Sequence, residues 1–78
     1  MWHFKSKLGT FWIVPGKRKK QYWLGVEDEH IGLYSDAAEA ATDVHEHLTG
    51  HVVWDKTHEK APHDLNEWAQ GEPDNWDK

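Results

Sequence analysis

Seven histidines in 78 residues are the first place to look for chemistry. Imidazole ligates metals, moves protons and changes charge near neutral pH. The densest group is His45, Glu46, His47 and His51, with His58 and His63 following. Two ligands on one helix face need a spacing of three or four residues. His45 and His47 are two apart, so they point in different directions. His47 and His51 have the right spacing, but Gly50 is expected to end the helix between them. The His-Glu-x-x-His pattern of zinc hydrolases is missing, and there is no cysteine to supply thiolates or disulfides. No metal and no cofactor is therefore expected. The expected consequence of the histidines is sensitivity below about pH 6.5, as they gain charge.

Catalysis by a nucleophile needs a hydroxyl or thiol beside a base. The hydroxyls are Ser6, Thr10, Ser35, Thr42, Thr49 and Thr57, and none sits in a strand-turn-helix nucleophile elbow. Ser35 reads as a helix cap and Thr49 as part of a helix end. The glycines are scattered, so no loop is built to cradle phosphate. A domain of this size also has little room for a pocket of about 300 Å³ or more. The chain is not expected to be an enzyme.

Two further features bear on binding. Lys17, Arg18, Lys19 and Lys20 form a basic run that would grip phosphates or simply solvate a hairpin tip, and charge runs usually do the latter. Six tryptophans supply aromatic bulk, each able to remove roughly 150–250 Å² from water. The net charge is −5. Residues 1–35 hold six cations and three acids, for +3; residues 36–78 hold three lysines and eleven acids, for −8. The acidic half opposes binding to nucleic acid.

A few elements must position these side chains. Thr10–Val14 is short, apolar and β-prone, and Pro15-Gly16 stops it. Gln21–Glu27 is a second strand, and His30–Tyr34, after the Asp28-Glu29 turn, a third. Short connections make these an antiparallel meander. Asp36 and Glu39 match a capping box, and Ala37, Ala41, Val44 and Leu48 recur at helical spacing up to Gly50. Asp36, Glu39, Asp43 and Glu46 give that helix an acidic outer face. Val52-Val53-Trp54 reads as extended or irregular. Asp64–Glu67 is a second capping box, opening a short helix that ends at Gly71.

The fold class is therefore α+β: a three-stranded antiparallel meander packed against one α-helix (β-β-β-α), with a C-terminal extension containing a short helix. One domain spans 1–78, with a core over about 8–54, the extension over 55–71 and a loose tail over 72–78. Phe11, Ile13, Tyr22, Leu24, Val26, Ile31 and Leu33 form the sheet face under the helix. Trp12, Val14, Trp23 and Tyr34 form the other face. Such an apolar patch needs a cover on a small domain. The favoured cover is the C-terminal segment, through Trp54, Leu65 and Trp68. The alternatives are a symmetric dimer and an aromatic platform for bases, sugars or a peptide.

The stretch Trp23-Leu24-Gly25-Val26 … Ile31-Gly32-Leu33-Tyr34-Ser35-Asp36-Ala37-Ala38-Glu39-Ala40-Ala41 resembles the strand–strand–helix core of AP2-type DNA-binding domains. The resemblance implies a three-stranded sheet laid in the major groove, with Trp12, Trp23 and Tyr34 on the contacting face. The single arginine falls in a loop, which leaves the family's DNA-reading positions unfilled. Phe4–Phe11, Tyr34–Ala41, Thr49-Gly50 and Pro62–Trp68 together are similar to a family of short uncharacterised bacterial proteins, which implies no activity.

The functional expectation is a small interaction module of unknown partner, protein being favoured. Nucleic-acid binding through the basic hairpin and the aromatic face is the alternative. Trp12, Trp23, Tyr34, Lys17, Arg18, Lys19 and Lys20 are the candidate contacts. Monomer and homodimer both remain open. Neither a signal-peptide run nor a membrane-length apolar stretch is present, so no membrane partner and a cytoplasmic location are expected.

Overall fold

Alternating apolar side chains carry four strands side by side, and a fifth closes the row. The computed structural model describes residues 1–73. Strand β1 is Trp2–Ser6, β2 Gly9–Pro15, β3 Tyr22–Val26, β4 Glu29–Tyr34 and β5 Ala69–Gln70. They form one antiparallel sheet in the order β4-β3-β2-β1-β5. Helix α1 is Ala37–Glu46 and α2 is Val52–Asp55, with a 3-10 turn at Leu65–Glu67. The α+β class and the central meander hold, and the sheet is two strands wider than expected.

Strand β1 explains the first addition. Trp2 and Phe4 alternate with His3 and Lys5, the period of a half-buried strand. Its turn into β2 is closed by Ser6, whose hydroxyl donates to the Gly9 carbonyl at 2.7 Å and accepts from the Leu8 amide at 3.2 Å. The second addition comes from the chain's return. Asp64 caps as expected, but it opens a single 3-10 turn over Leu65–Glu67 rather than a helix reaching Gly71, and Ala69–Gln70 instead form β5, which pairs with Trp2 and His3.

The core lies between the sheet and α1. Phe11, Ile13, Leu24 and Val26 from the sheet meet Ala37, Ala40, Ala41 and Val44 from the helix. The alanine stripe lets the helix sit close to the sheet. Asp36 caps α1 by accepting from the Ala38 amide at 2.9 Å. The C-terminal end differs from expectation. Helix α1 stops before His47, which is left-handed at φ 59°, rather than running to Gly50. The His47 amide donates to the Val44 carbonyl at 3.3 Å and the Leu48 amide to the Asp43 carbonyl at 3.0 Å, the pattern of a Schellman cap. Leu48 thus leaves the helical period and is exposed.

A β-bulge in the β3–β4 pairing produces another correction. Gly25 pairs with His30, but Leu24 pairs with Gly32, so β4 carries one extra residue there. One extra residue reverses the alternation beyond it. Tyr34 consequently lies opposite Tyr22, on the helix side, and Leu33 opposite Trp23, on the other side. Their expected places are exchanged.

The extension also runs elsewhere than expected. Trp54 and Trp68 enter the core on the helix side, at ring distances of 4.8 Å from Phe11 and 5.7 Å from Phe4 respectively. The segment after α1 begins with a helical turn rather than extended chain, because His51 caps it by accepting from the Trp54 amide. Trp54, Leu65 and Trp68, the expected cover of the second sheet face, thus pack with the helix-side core instead. The loose tail expected over 72–78 lies, from residue 74 onward, outside the described residues.

Candidate functional site

Register defines the second face. His3, Trp12, Gly25 and His30 lie in one row across β1 to β4, and Val14, Trp23 and Leu33 in another. Trp12 is the floor of this face. Its indole lies over Gly25, where no Cβ intervenes, and its Nε1 donates to the Glu27 carbonyl at 2.8 Å. It is only 3% exposed. The His30 ring stands edge-on to two indoles, 5.0 Å from Trp12 and 5.1 Å from Trp23. Trp23 and Val14 are half-buried, and Leu33 is 46% exposed. The accessible apolar surface is therefore Trp23, Leu33 and Val14, with His30 beside them. Trp12 is packing beneath it.

The basic run occupies the β2–β3 connection. Lys17, Arg18, Lys19 and Lys20 are all exposed. The loop is closed by the Gly16 amide donating to the Gln21 carbonyl at 2.7 Å. It leaves the sheet at the Pro15–Tyr22 pair, next to Val14–Trp23, so the cations stand at the end of the aromatic row. Tyr34 is not part of this group. Its hydroxyl donates to Asp43 Oδ2 of α1 at 2.8 Å. Burial, that hydrogen bond and the nearby charges of Asp43, Asp55 and Glu39 all push its ionisation well above the usual tyrosine range. Of the expected contacts, the fold buries Trp12, turns Tyr34 away and sets the basic loop beyond the Val14–Trp23 pair, with Lys20 beside Tyr22, Ser35, Asp36 and Glu39 on the helix side.

The histidines have a different role from the one their spacing invited. Three of them hold backbone carbonyls of the C-terminal extension. His3 Nδ1 lies 2.8 Å from the Gly71 carbonyl, and His45 Nδ1 lies 2.7 Å from that of Ala61. His47 takes two, with Nδ1 at 2.9 Å from the Trp54 carbonyl and Nε2 at 2.8 Å from the Glu59 carbonyl. Among the described residues no group of three or more His, Asp or Glu side chains is placed to hold a metal. Sequence reasoning missed these clamps, since a carbonyl acceptor leaves no mark in side-chain spacing.

Asp55 locks the loop between the helices. Its carboxylate accepts from the Thr49 hydroxyl at 2.8 Å, the Thr49 amide at 3.1 Å and the Gly50 amide at 2.9 Å. Burial opposes the charged form, but these donors and the His47 charge outweigh it and hold the carboxyl below its usual range. The sign follows from linkage. The stabilisation is present above the unfolded value of about 3.9 and is lost as pH falls through the lower folded value. Replacing Asp55 with Ala should cost about 2 kcal/mol at pH 7 and less in strong acid, read from urea midpoints at the two pH values.

Neither a protein-family model, nor a curated protein, nor a solved structure matches the chain.

Proposed function

We propose that the chain is a small binding module whose contact surface is the second sheet face, centred on Trp23 and Leu33. One observation carries this reading: Trp54, Leu65 and Trp68 pack with the helix-side core, while on the other face Leu33, opposite Trp23, is 46% exposed. Aromatic anchors in such rows supply most of the energy of an interface. The favoured partner is a protein. The adjoining cations add attraction for an acidic one, and their contribution is screened by salt.

Trp23→Ala and Leu33→Ala separate this reading from a structural one. Each is expected to weaken partner capture by about 2 kcal/mol, near thirtyfold in Kd, with the circular dichroism spectrum unchanged. Capture that survives both changes with the fold intact rejects the surface. Trp12→Ala is expected to act differently, through loss of stability, because Trp12 is buried.

Nucleic-acid binding is the second reading, supported by the exposed run Lys17, Arg18, Lys19 and Lys20 in the loop beyond the Val14–Trp23 pair. It expects the Trp23 indole resonance to move with short DNA or RNA at low salt and to return as salt rises. An indole that stays still at low salt removes it.

A further inference from the structure

An open cleft lies where the β2–β3 loop meets the start of α1. Its volume is about 520 Å³, more room than a chain of this length was expected to leave. Lys20, Tyr22, Ser35, Asp36 and Glu39 line it. Tyr22 opens β3 and pairs with Tyr34 at the end of β4, and Ser35 and Asp36 follow at once and lead into α1. Tyr22 is half-buried against the core, with its ring 6.4 Å from that of Trp2, so it forms a fixed wall. The loop opposite is tied to Gln21, whose carbonyl accepts from the Gly16 amide at 2.7 Å and whose Oε1 accepts from the Arg18 amide at 3.3 Å. Lys20 stands in that loop with a left-handed backbone, φ 57°.

The charges of the cleft face a shared space and not one another. Among the described residues Lys20 forms no ion pair, although two carboxylates line the same cleft. Each carboxylate is half used. Asp36 Oδ1 accepts from the Ala38 amide at 2.9 Å, and Glu39 Oε1 accepts from the Ser35 hydroxyl at 3.0 Å. These bonds orient the two groups and leave Asp36 Oδ2 and Glu39 Oε2 to accept from an incoming donor. The first turn of α1 contributes roughly half a positive charge, which the two carboxylates outweigh.

A matching ligand carries a cationic head for the two carboxylates and an anionic group for Lys20. A guanidinium suits two separate acceptor oxygens better than an ammonium does, because its N–H donors lie in a fixed planar fork. Its flat face also stacks on a tyrosine ring. We propose that the cleft binds a zwitterionic guanidine of the size of free arginine, with its guanidinium between Asp36 and Glu39 beside Tyr22 and its carboxylate on Lys20. This site is on the helix side of the sheet, apart from the Trp23–Leu33 surface, and needs no partner there.

Free arginine is the probe, titrated into the unmodified chain and followed by amide NMR. The amides of Lys20, Ser35 and Glu39 are expected to shift together at millimolar arginine, while that of Leu33 holds still. Citrulline has the same shape with an uncharged urea, and should bind about tenfold more weakly; Glu39→Gln should weaken arginine by a similar factor. Agmatine keeps the guanidinium and lacks the carboxylate. It should bind the unmodified chain about tenfold more weakly than arginine. Lys20→Asn, which suits a left-handed position, should abolish that preference for arginine. Amides that stay unmoved at all three positions overturn the site. So does agmatine binding the unmodified chain as tightly as arginine, which would mean that the acidic half attracts cations without a defined pose.

Discussion

Trp54→Ala should leave the chain without a stable fold at 25 °C. Trp54 is completely buried. One side of its ring meets the Phe11 ring at 65°, another stacks on His47, and Nε1 donates to the Val44 carbonyl at 3.0 Å. It therefore joins sheet, helix and extension at one point. Removing a buried Trp side chain costs about 3–5 kcal/mol. A domain of this length has a total stability of roughly 4–12 kcal/mol. The loss of the bond to Val44 adds to the deficit, although that carbonyl keeps the His47 amide as a donor. Dispersed amide resonances should collapse in the variant's NMR spectrum. Trp54→Phe retains a ring and gives up the hydrogen bond, so it should fold with a lower urea midpoint. A Trp54→Ala chain that keeps native dispersion would show that the extension is dispensable to the core.

Gly25→Ala should destabilise the protein by about 3 kcal/mol although it adds only one methyl. A Cβ at Gly25 would lie 2.1 Å from Trp12 Cζ2, 2.3 Å from Cη2 and 2.6 Å from the Glu29 carbonyl oxygen. Neither neighbour yields cheaply. The indole is fixed by its bond to Glu27, and the carbonyl belongs to the adjoining strand. Gly32→Ala is the control on the neighbouring strand. There the nearest atom is Tyr34 Cε1 at 3.4 Å, ordinary contact, so the change should be close to neutral. Thermal unfolding of the two variants reads the difference directly. Equal melting temperatures would mean that Trp12 has another seat available.

These two sites also show what was legible in the chain and what was not. Strands β2, β3 and β4 and helix α1 follow from local period, because each buries one face along most of its length. The period of β1 was equally present in Trp2, His3, Phe4 and Lys5, but its neighbours give no stop signal before Ser6. The bulge in β4 was invisible, since Ile31-Gly32-Leu33-Tyr34 alternates plausibly in either phase, and only cross-strand pairing selects one. That single residue decided whether Tyr34 or Leu33 joined the candidate surface. The end of α1 was misplaced for a related reason. A left-handed His is unfavourable alone, by roughly 1–2 kcal/mol, and is held here by carbonyls that arrive from the extension. Trp12 was legible as aromatic and β-prone, yet its burial depends on Gly25 in the next strand. A glycine inside a strand does mark close approach, and that was the available signal. Helix α2 carries two β-branched residues in one turn, a local preference overridden by the cap from His51.

The sheet's two margins are unequal, and this limits how copies of the chain can add to one another. On the β1 side, β5 occupies Trp2 and His3, the Gly71 amide is taken by the Met1 carbonyl, and the Lys7 amide is taken by Glu59. Pro73 follows soon after and has no amide proton to offer. On the other side, β4 ends the sheet. Joining through β4 about a twofold axis would consume the longer margin of both copies at once, six residues against the two of β5. Growth by that route therefore terminates at two chains, where a sheet with two equal margins could lengthen into a fibre.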